Sequence, residues 1–157
     1  MTHGTIVRLA CGVLLTGLLA ACGGEDASSD AAAATDTAAA QAAFTGNLIV
    51  STTSTTVGTP FTVTETATNL TATQVGPIIV GIRRLGLTVL AAQKPRTGIC
   101  RIAGSATCNF LELAPFETQS YTLTLSAPAP GTYQIQGWTT SSYVTGGFSG
   151  SVTVTVK

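Results

Sequence analysis

Phe61-Thr-Val-Thr-Glu-Thr-Ala-Thr-Asn69 places a threonine at every second position. Successive side chains of an extended strand face opposite sides, so Phe61, Val63 and Ala67 share one face and Thr62, Thr64, Thr66 and Thr68 the other. One dry face and one wet, uncharged face mark a strand of an antiparallel sheet packed on a single side. Glu65 falls in the dry phase. A lone carboxylate in a core is costly unless paired or hydrogen-bonded, so either a strand-end position open to water or a partner is expected. Arg83 or Arg84 of the following strand is the expected partner. Asn69 ends the run, where its side chain can bond nearby backbone and close a turn.

The same grammar runs outward in both directions. Gly46–Ser54 reads as a strand with Leu48 and Val50 on one face, and Val57-Gly58-Thr59-Pro60 turns the chain into the next. Pro77 opens Ile78–Leu85, with Ile78, Val80 and Ile82 in phase; Gly86 breaks it before a short run, Leu87–Ala91. A basic, irregular segment extends to Ala106. Cys108–Glu117 reads as a short strand and a proline turn, and Gln119–Ser126 as a strand with Tyr121, Leu123 and Leu125 inward. Pro128–Gly131 turn into Thr132–Thr140, with Tyr133 and Ile135 inward, and Ser149–Lys157 closes the chain with Val152, Val154 and Val156 in phase. No helical stripe appears. Seven or eight short antiparallel strands within about 110 residues predict an all-β, two-sheet immunoglobulin-like sandwich over residues 44–157.

The first 43 residues have another character. Arg8 precedes a short apolar run, Leu9–Ala21. It falls short of the roughly 20 residues of a spanning helix and reads as a signal segment, 1–21, with a plain secretory signal as the alternative. Residues 22–43 are rich in Ala, Ser, Thr and Gly with only acidic charges (Glu25, Asp26, Asp30, Asp36), which predicts a disordered tether. Leu19-Ala20-Ala21-Cys22 resembles the lipobox of bacterial lipoproteins. The resemblance implies that Cys22 is lipidated, becomes the new N-terminus and holds the chain at the cell envelope; two or more acyl chains anchor stably. Gly23 rather than an aspartate follows, which favours the outer membrane in a cell that has one.

Thr59–Asn69, Cys100, Cys108, Leu113-Ala-Pro-Phe-Glu117, Tyr121–Leu125 and Pro130-Gly-Thr-Tyr133 resemble the immunoglobulin-like conserved-repeat domains of bacterial surface proteins. The resemblance covers most of residues 44–157 and implies a sandwich; it is nearly silent on activity. It also places a cysteine pair at Cys100 and Cys108. An even pair in an oxidising compartment points the same way, with free thiols or metal ligation as the alternatives. Where the family has glycine after Leu-Ala-Pro, this chain has Phe116, which leaves the turn type open.

Charged residues make up 9% of the 157, and the net charge is zero, so no pull toward nucleic acid is expected. The only histidine, His3, and the last aspartate, Asp36, both precede the sandwich. That removes Ser-His-Asp and Cys-His catalysis and the usual His/Cys metal sites, so no catalytic residue, metal or cofactor is expected. Glu112 and Glu117 flank a turn and read as exposed turn residues rather than a glycosidase pair. Three binding candidates remain. Arg83, Arg84, Lys94, Arg96 and Arg101, five of the six cations from Phe44 onward, lie between residues 83 and 101, suited to an anionic envelope polymer or simply to a solvated loop. Trp138 and Tyr143 flank a glycine-rich loop. Strict alternation points Trp138 outward, to stack on a sugar ring or dock a protein; a bulge at Gly137 would return it to the core or its rim. The threonine faces are the third: they could serve as a flat contact surface, but the plain reading is wet strand surface. The expectation is a non-enzymatic envelope lipoprotein that presents an interaction or structural module to an envelope polysaccharide or protein. A protease inhibitor, suggested by Pro130–Tyr133, is a weaker alternative.

Overall fold

The computed structural model of the chain describes residues 41–110 and 112–157. The signal segment, Cys22 and the tether up to residue 40 lie outside the described residues. The threonine-alternating run forms β3 (Phe61–Asn69), with Phe61, Val63, Glu65 and Ala67 buried. Ahead of it come β1 (Phe44–Val50) and β2 (Ser54–Thr55). After it come β4 (Ile78–Arg84), β5 (Thr88–Gln93), β6 (Ile99–Arg101), β7 (Ala106–Phe110), β8 (Thr118–Ser126), β9 (Gly131–Thr140) and β10 (Ser151–Val156). They form a four-stranded sheet, β1-β3-β8-β5, and a six-stranded sheet, β2-β10-β9-β4-β7-β6. This is the expected all-β immunoglobulin-like sandwich.

The alternating residues of each sheet meet in one core. Val63, Tyr121, Leu123 and Leu125 come from the first sheet, and Ile78, Val80, Ile82, Ile135 and Val154 from the second, all fully buried. Each aliphatic side chain so buried stabilises the fold by about 1.5–3 kcal/mol. Asn69 ends β3 as expected and does more. Its Oδ1 accepts from the Thr71 N–H at 2.8 Å, and its Nδ2 donates to the Thr73 and Ala114 carbonyls at 2.7 and 2.8 Å. One buried amide thus ties the chain after β3 to the turn before β8.

Ten strands form where seven or eight were expected, and the principal differences are these. The strand expected over Gly46–Ser54 ends at Val50, because the Thr52 side chain bonds to the backbone of Ser54 and turns the chain out of the first ladder. Ser54–Thr55 then cross to the other sheet, where β2 pairs parallel with β10. The basic segment, expected to be irregular, contains β6, which pairs with β7. Cys100 stands directly opposite Cys108 in that ladder and is joined to it by a disulfide, Cα to Cα 4.1 Å. Phe116 adopts φ 57°, so the turn takes a left-handed conformation, one that glycine adopts most readily.

Candidate functional site

Glu65 is fully buried, and its register confirms the inward phase. The partner is not the expected Arg83 or Arg84. Glu65 Oε1 accepts from Thr139 Oγ1 of β9 at 2.7 Å and from Ser149 Oγ, in the loop before β10. Arg83 is exposed on β4. Arg84 is directed to two carbonyls, Leu87 and Ile102, each at 3.0 Å, which fasten the β4–β5 turn. Alternation fixes which face Glu65 occupies, but the strand lying across from it is set by how the sheets stack. There it meets β9, where Gly137 leaves room for the carboxylate. Burial pushes its pKa up from the ordinary 4.5, and the bonds from Ser149 and Thr139 pull it partly back. Gly46 of β1 allows an equally close approach: the Phe148 carbonyl and the Thr139 side chain fill the place a Cβ would take.

On the outer face of the same region lies Trp138. The β4–β9 register runs unbroken from Arg84↔Ile135 to Ile79↔Thr140, so Gly137 marks no bulge and Trp138 alternates outward. Its register partner is Gly81, and the indole covers that residue so closely that a Cβ would overlap the ring. Trp138, Gln136, Phe148 and Ser151 border a hollow of about 420 Å³ whose lining carries no charged residue. Phe148 is 79% exposed and sits at φ 143°, a conformation non-glycine residues avoid. Its backbone is held on both sides, by the close approach to Gly46 and by the Ser149–Glu65 bond. Tyr143 is also exposed, but it does not border this hollow. Sequence reasoning passed over Phe148; the signal available was a large aromatic set between Gly146-Gly147 and Ser149-Gly150.

The five cations between residues 83 and 101 fall on different hollows. Arg83 and Arg84 border one with Gly104 and Ser105, and Arg101 borders a second with Ile79 and Thr107. Lys94 and Arg96 border a third, over Thr118, Ser120 and Thr122. Arg96 forms an ion pair with Glu117 at 3.3 Å. Glu112 accepts from Gln74 and borders one hollow with Glu117, whose carboxylate takes Ala114, Gln119 and Arg96. No cluster of three or more potential metal ligands occurs among the described residues.

No protein-family model matches the sequence, and no curated protein matches it. Solved structures do. A chain of a type I cohesin–dockerin complex from Clostridium thermocellum superimposes with a TM-score of 0.54 at 11% identity, over 72% of this chain and 99% of that one. A structure of a cohesin in complex with a dockerin, from Acetivibrio cellulolyticus, gives 0.53 at 12% identity, over 72% and 98%. A non-cellulosomal cohesin from the archaeon Archaeoglobus fulgidus gives 0.51 at 11% identity, over 72% and 91%. At these identities the likeness is one of fold: the chain is similar to cohesin domains in its two-sheet sandwich.

Proposed function

We propose that this chain is a non-enzymatic, lipid-anchored module of the bacterial cell envelope. It docks a protein partner at the hollow between Trp138 and Phe148, on the outer face of its six-stranded sheet. The observation that carries the reading is Phe148, a bulky aromatic kept exposed at φ 143° beside an outward tryptophan. Strained backbone persists only where surrounding structure enforces it, and it concentrates at functional sites. An uncharged, mainly apolar hollow with a polar border suits the apolar side chains of a protein loop or strand. The similar solved sandwiches include cohesins in complexes with dockerins, a precedent for a protein occupant. The absence of histidine and aspartate from residues 44–157 supports a non-catalytic role. The Leu19–Cys22 lipobox resemblance supports anchoring through Cys22, at the outer membrane in a cell that has one.

The test compares wild type with Trp138→Ala and Phe148→Ala in capture from envelope extracts, followed by titration of the purified partner. Trp138 is the only tryptophan, so its fluorescence reports occupancy directly. A partner bound by wild type and lost by both variants supports the reading. Binding of a neutral glycan at Trp138 with no protein captured would replace the protein occupant with a sugar. Capture that is indifferent to both substitutions would refute the site.

A further inference from the structure

The two central strands of the four-stranded sheet, β3 and β8, line its outer face with hydroxyls. Pairing of β3 with β8 sets Thr62 opposite Thr124, Thr64 opposite Thr122, Thr66 opposite Ser120 and Thr68 opposite Thr118. The Thr64–Thr122 and Thr68–Thr118 hydroxyls are 2.9 Å apart and orient one another. A hydroxyl has one donor and two acceptor lone pairs, so each such pair keeps donor and acceptor capacity for a third group. At one end of this face the segment after β5 forms a wall. Lys94, Pro95 and Arg96 border a hollow of about 640 Å³ with Thr118, Ser120 and Thr122.

The wall is held from beneath. Gln119 is buried, and its Nε2 donates to Thr97 Oγ1 at 2.9 Å and to Glu117 Oε1 at 3.0 Å. Glu117 Oε2 accepts from the Ala114 N–H at 2.8 Å, while Oε1 also takes Arg96 Nη2 at 3.3 Å. The carboxylate beside the hollow is therefore occupied by three donors that fix its surroundings. Among the described residues Lys94 has no acidic partner, and Arg96 uses one nitrogen of its fork on Glu117. The hollow therefore combines a hydroxyl surface with two cations on a braced segment and one carboxylate, Glu117, which Arg96 already pairs with.

We propose that this hollow binds an anionic saccharide. Its sugar hydroxyls lie on Thr118, Ser120 and Thr122, and its carboxylate or phosphate lies at Lys94 and Arg96. The hydroxyl surface distinguishes this ligand from a bare anion, which has no use for it. No aromatic borders the hollow to stack a nucleobase. Exposed cations give little affinity each, so a single saccharide unit binds weakly and a repeating polymer gains through multivalency. The site lies on the opposite outer face from Trp138 and stands independently of the docking reading.

Full-length protein in mild detergent is titrated with polygalacturonate, with a poly(glycerol phosphate) and with neutral dextran, at low and high salt. Expected is binding of one anionic polymer and none of dextran. Lys94→Ala weakens binding of the polymer severalfold. Thr122→Val, nearly isosteric and at home in a strand, weakens it severalfold without changing the salt dependence, and Lys157→Ala, at an exposed cation outside the hollow, leaves it unchanged. The polymer that binds identifies a uronate or a phosphodiester as the source of the charge. Binding of neither polymer overturns the proposal. So does binding that Thr122→Val leaves intact and that Arg101→Ala weakens as much as Lys94→Ala, because the attraction is then general charge.

Discussion

Gly137 and Glu65 fit together across the sandwich: the space in which residue 137 would carry a methyl group holds the Glu65 carboxylate oxygen Oε2. Gly137 is on β9 of one sheet and Glu65 on β3 of the other, so a missing side chain in one sheet accommodates a polar one from its opposite. Leu48 of β1 closes the same space from the side.

Gly137→Ala forces the carboxylate or the β9 backbone to move. Overpacking of this kind costs about 1–3 kcal/mol, and the denaturant midpoint is expected to fall accordingly. Adding Glu65→Ala frees the space, so the double variant is expected to lose less than the sum of the two singles. Strict additivity of the two losses would show that the residues do not compete.

Stability is expected to depend on pH through Glu65. Burial holds its carboxyl protonated to a higher pH in the folded protein than in the unfolded chain, where the ordinary value is near 4.5. Its contribution is therefore full below that unfolded value and is lost as pH rises through the raised folded value. Glu65→Gln imitates the protonated form and removes the dependence. Denaturation midpoints of the two proteins should converge in acid, with Glu65→Gln pulling ahead as pH rises. Ser149→Ala removes a bond that favours the charged form, so it should move the loss to higher pH. Parallel midpoint curves for wild type and Glu65→Gln would contradict this assignment.

Reduction of Cys100–Cys108, or substitution of both by serine, is expected to lower stability by about 2–3 kcal/mol on a chain-entropy estimate for so short a loop. The loss should be local in origin, since β6 is three residues long and pairs only with β7. Hydrogen exchange at residues 99–101 should accelerate before the rest of the sandwich responds. Alkylation without prior reduction should leave both thiols unmodified.

Cys22→Ser is expected to release the protein from membranes or to leave its signal segment uncut. Normal processing with unchanged membrane fractionation would rule out Cys22 as the attachment point.

Strand identity was legible wherever period-two patterning was long. Phe61–Asn69, Gln119–Ser126 and the valines of the last strand each declare a dry and a wet face, and the sandwich follows from burying the dry ones. Two strands escaped. Ser54–Thr55 is two residues long and exists because β10 offers it an edge. Ile99–Arg101 has no alternation and is defined by its pairing with β7 and the covalent bond to Cys108. The site was legible in part. Unbroken alternation carried Trp138 outward, but no local pattern says that Phe148, rather than Tyr143, shares its hollow. The acceptors of Arg84 and the donors to Glu65 were hidden for the same reason, since they depend on which loops and strands the stacked sheets bring together. At Phe116 the sequence left the turn type open; the turn is left-handed, held by the Ala114 N–H donating to Glu117 and by Asn69 donating to the Ala114 carbonyl.

The four outermost strands also bear on how neighbouring copies behave. An open ladder edge is a template on which another chain can polymerise. In the six-stranded sheet the two edges are β2 and β6, two and three residues long, and the second is clamped by its disulfide. In the four-stranded sheet β5 is irregular between Val89 and Ala91. β1 is the longest edge, and on its far side the loop backbone of Thr145 and Gly147 bonds to Ala43 and Phe44. Margins that are short, kinked or, at Phe44, covered give another copy little ladder to extend, and the longest open stretch they leave is β1 beyond Phe44.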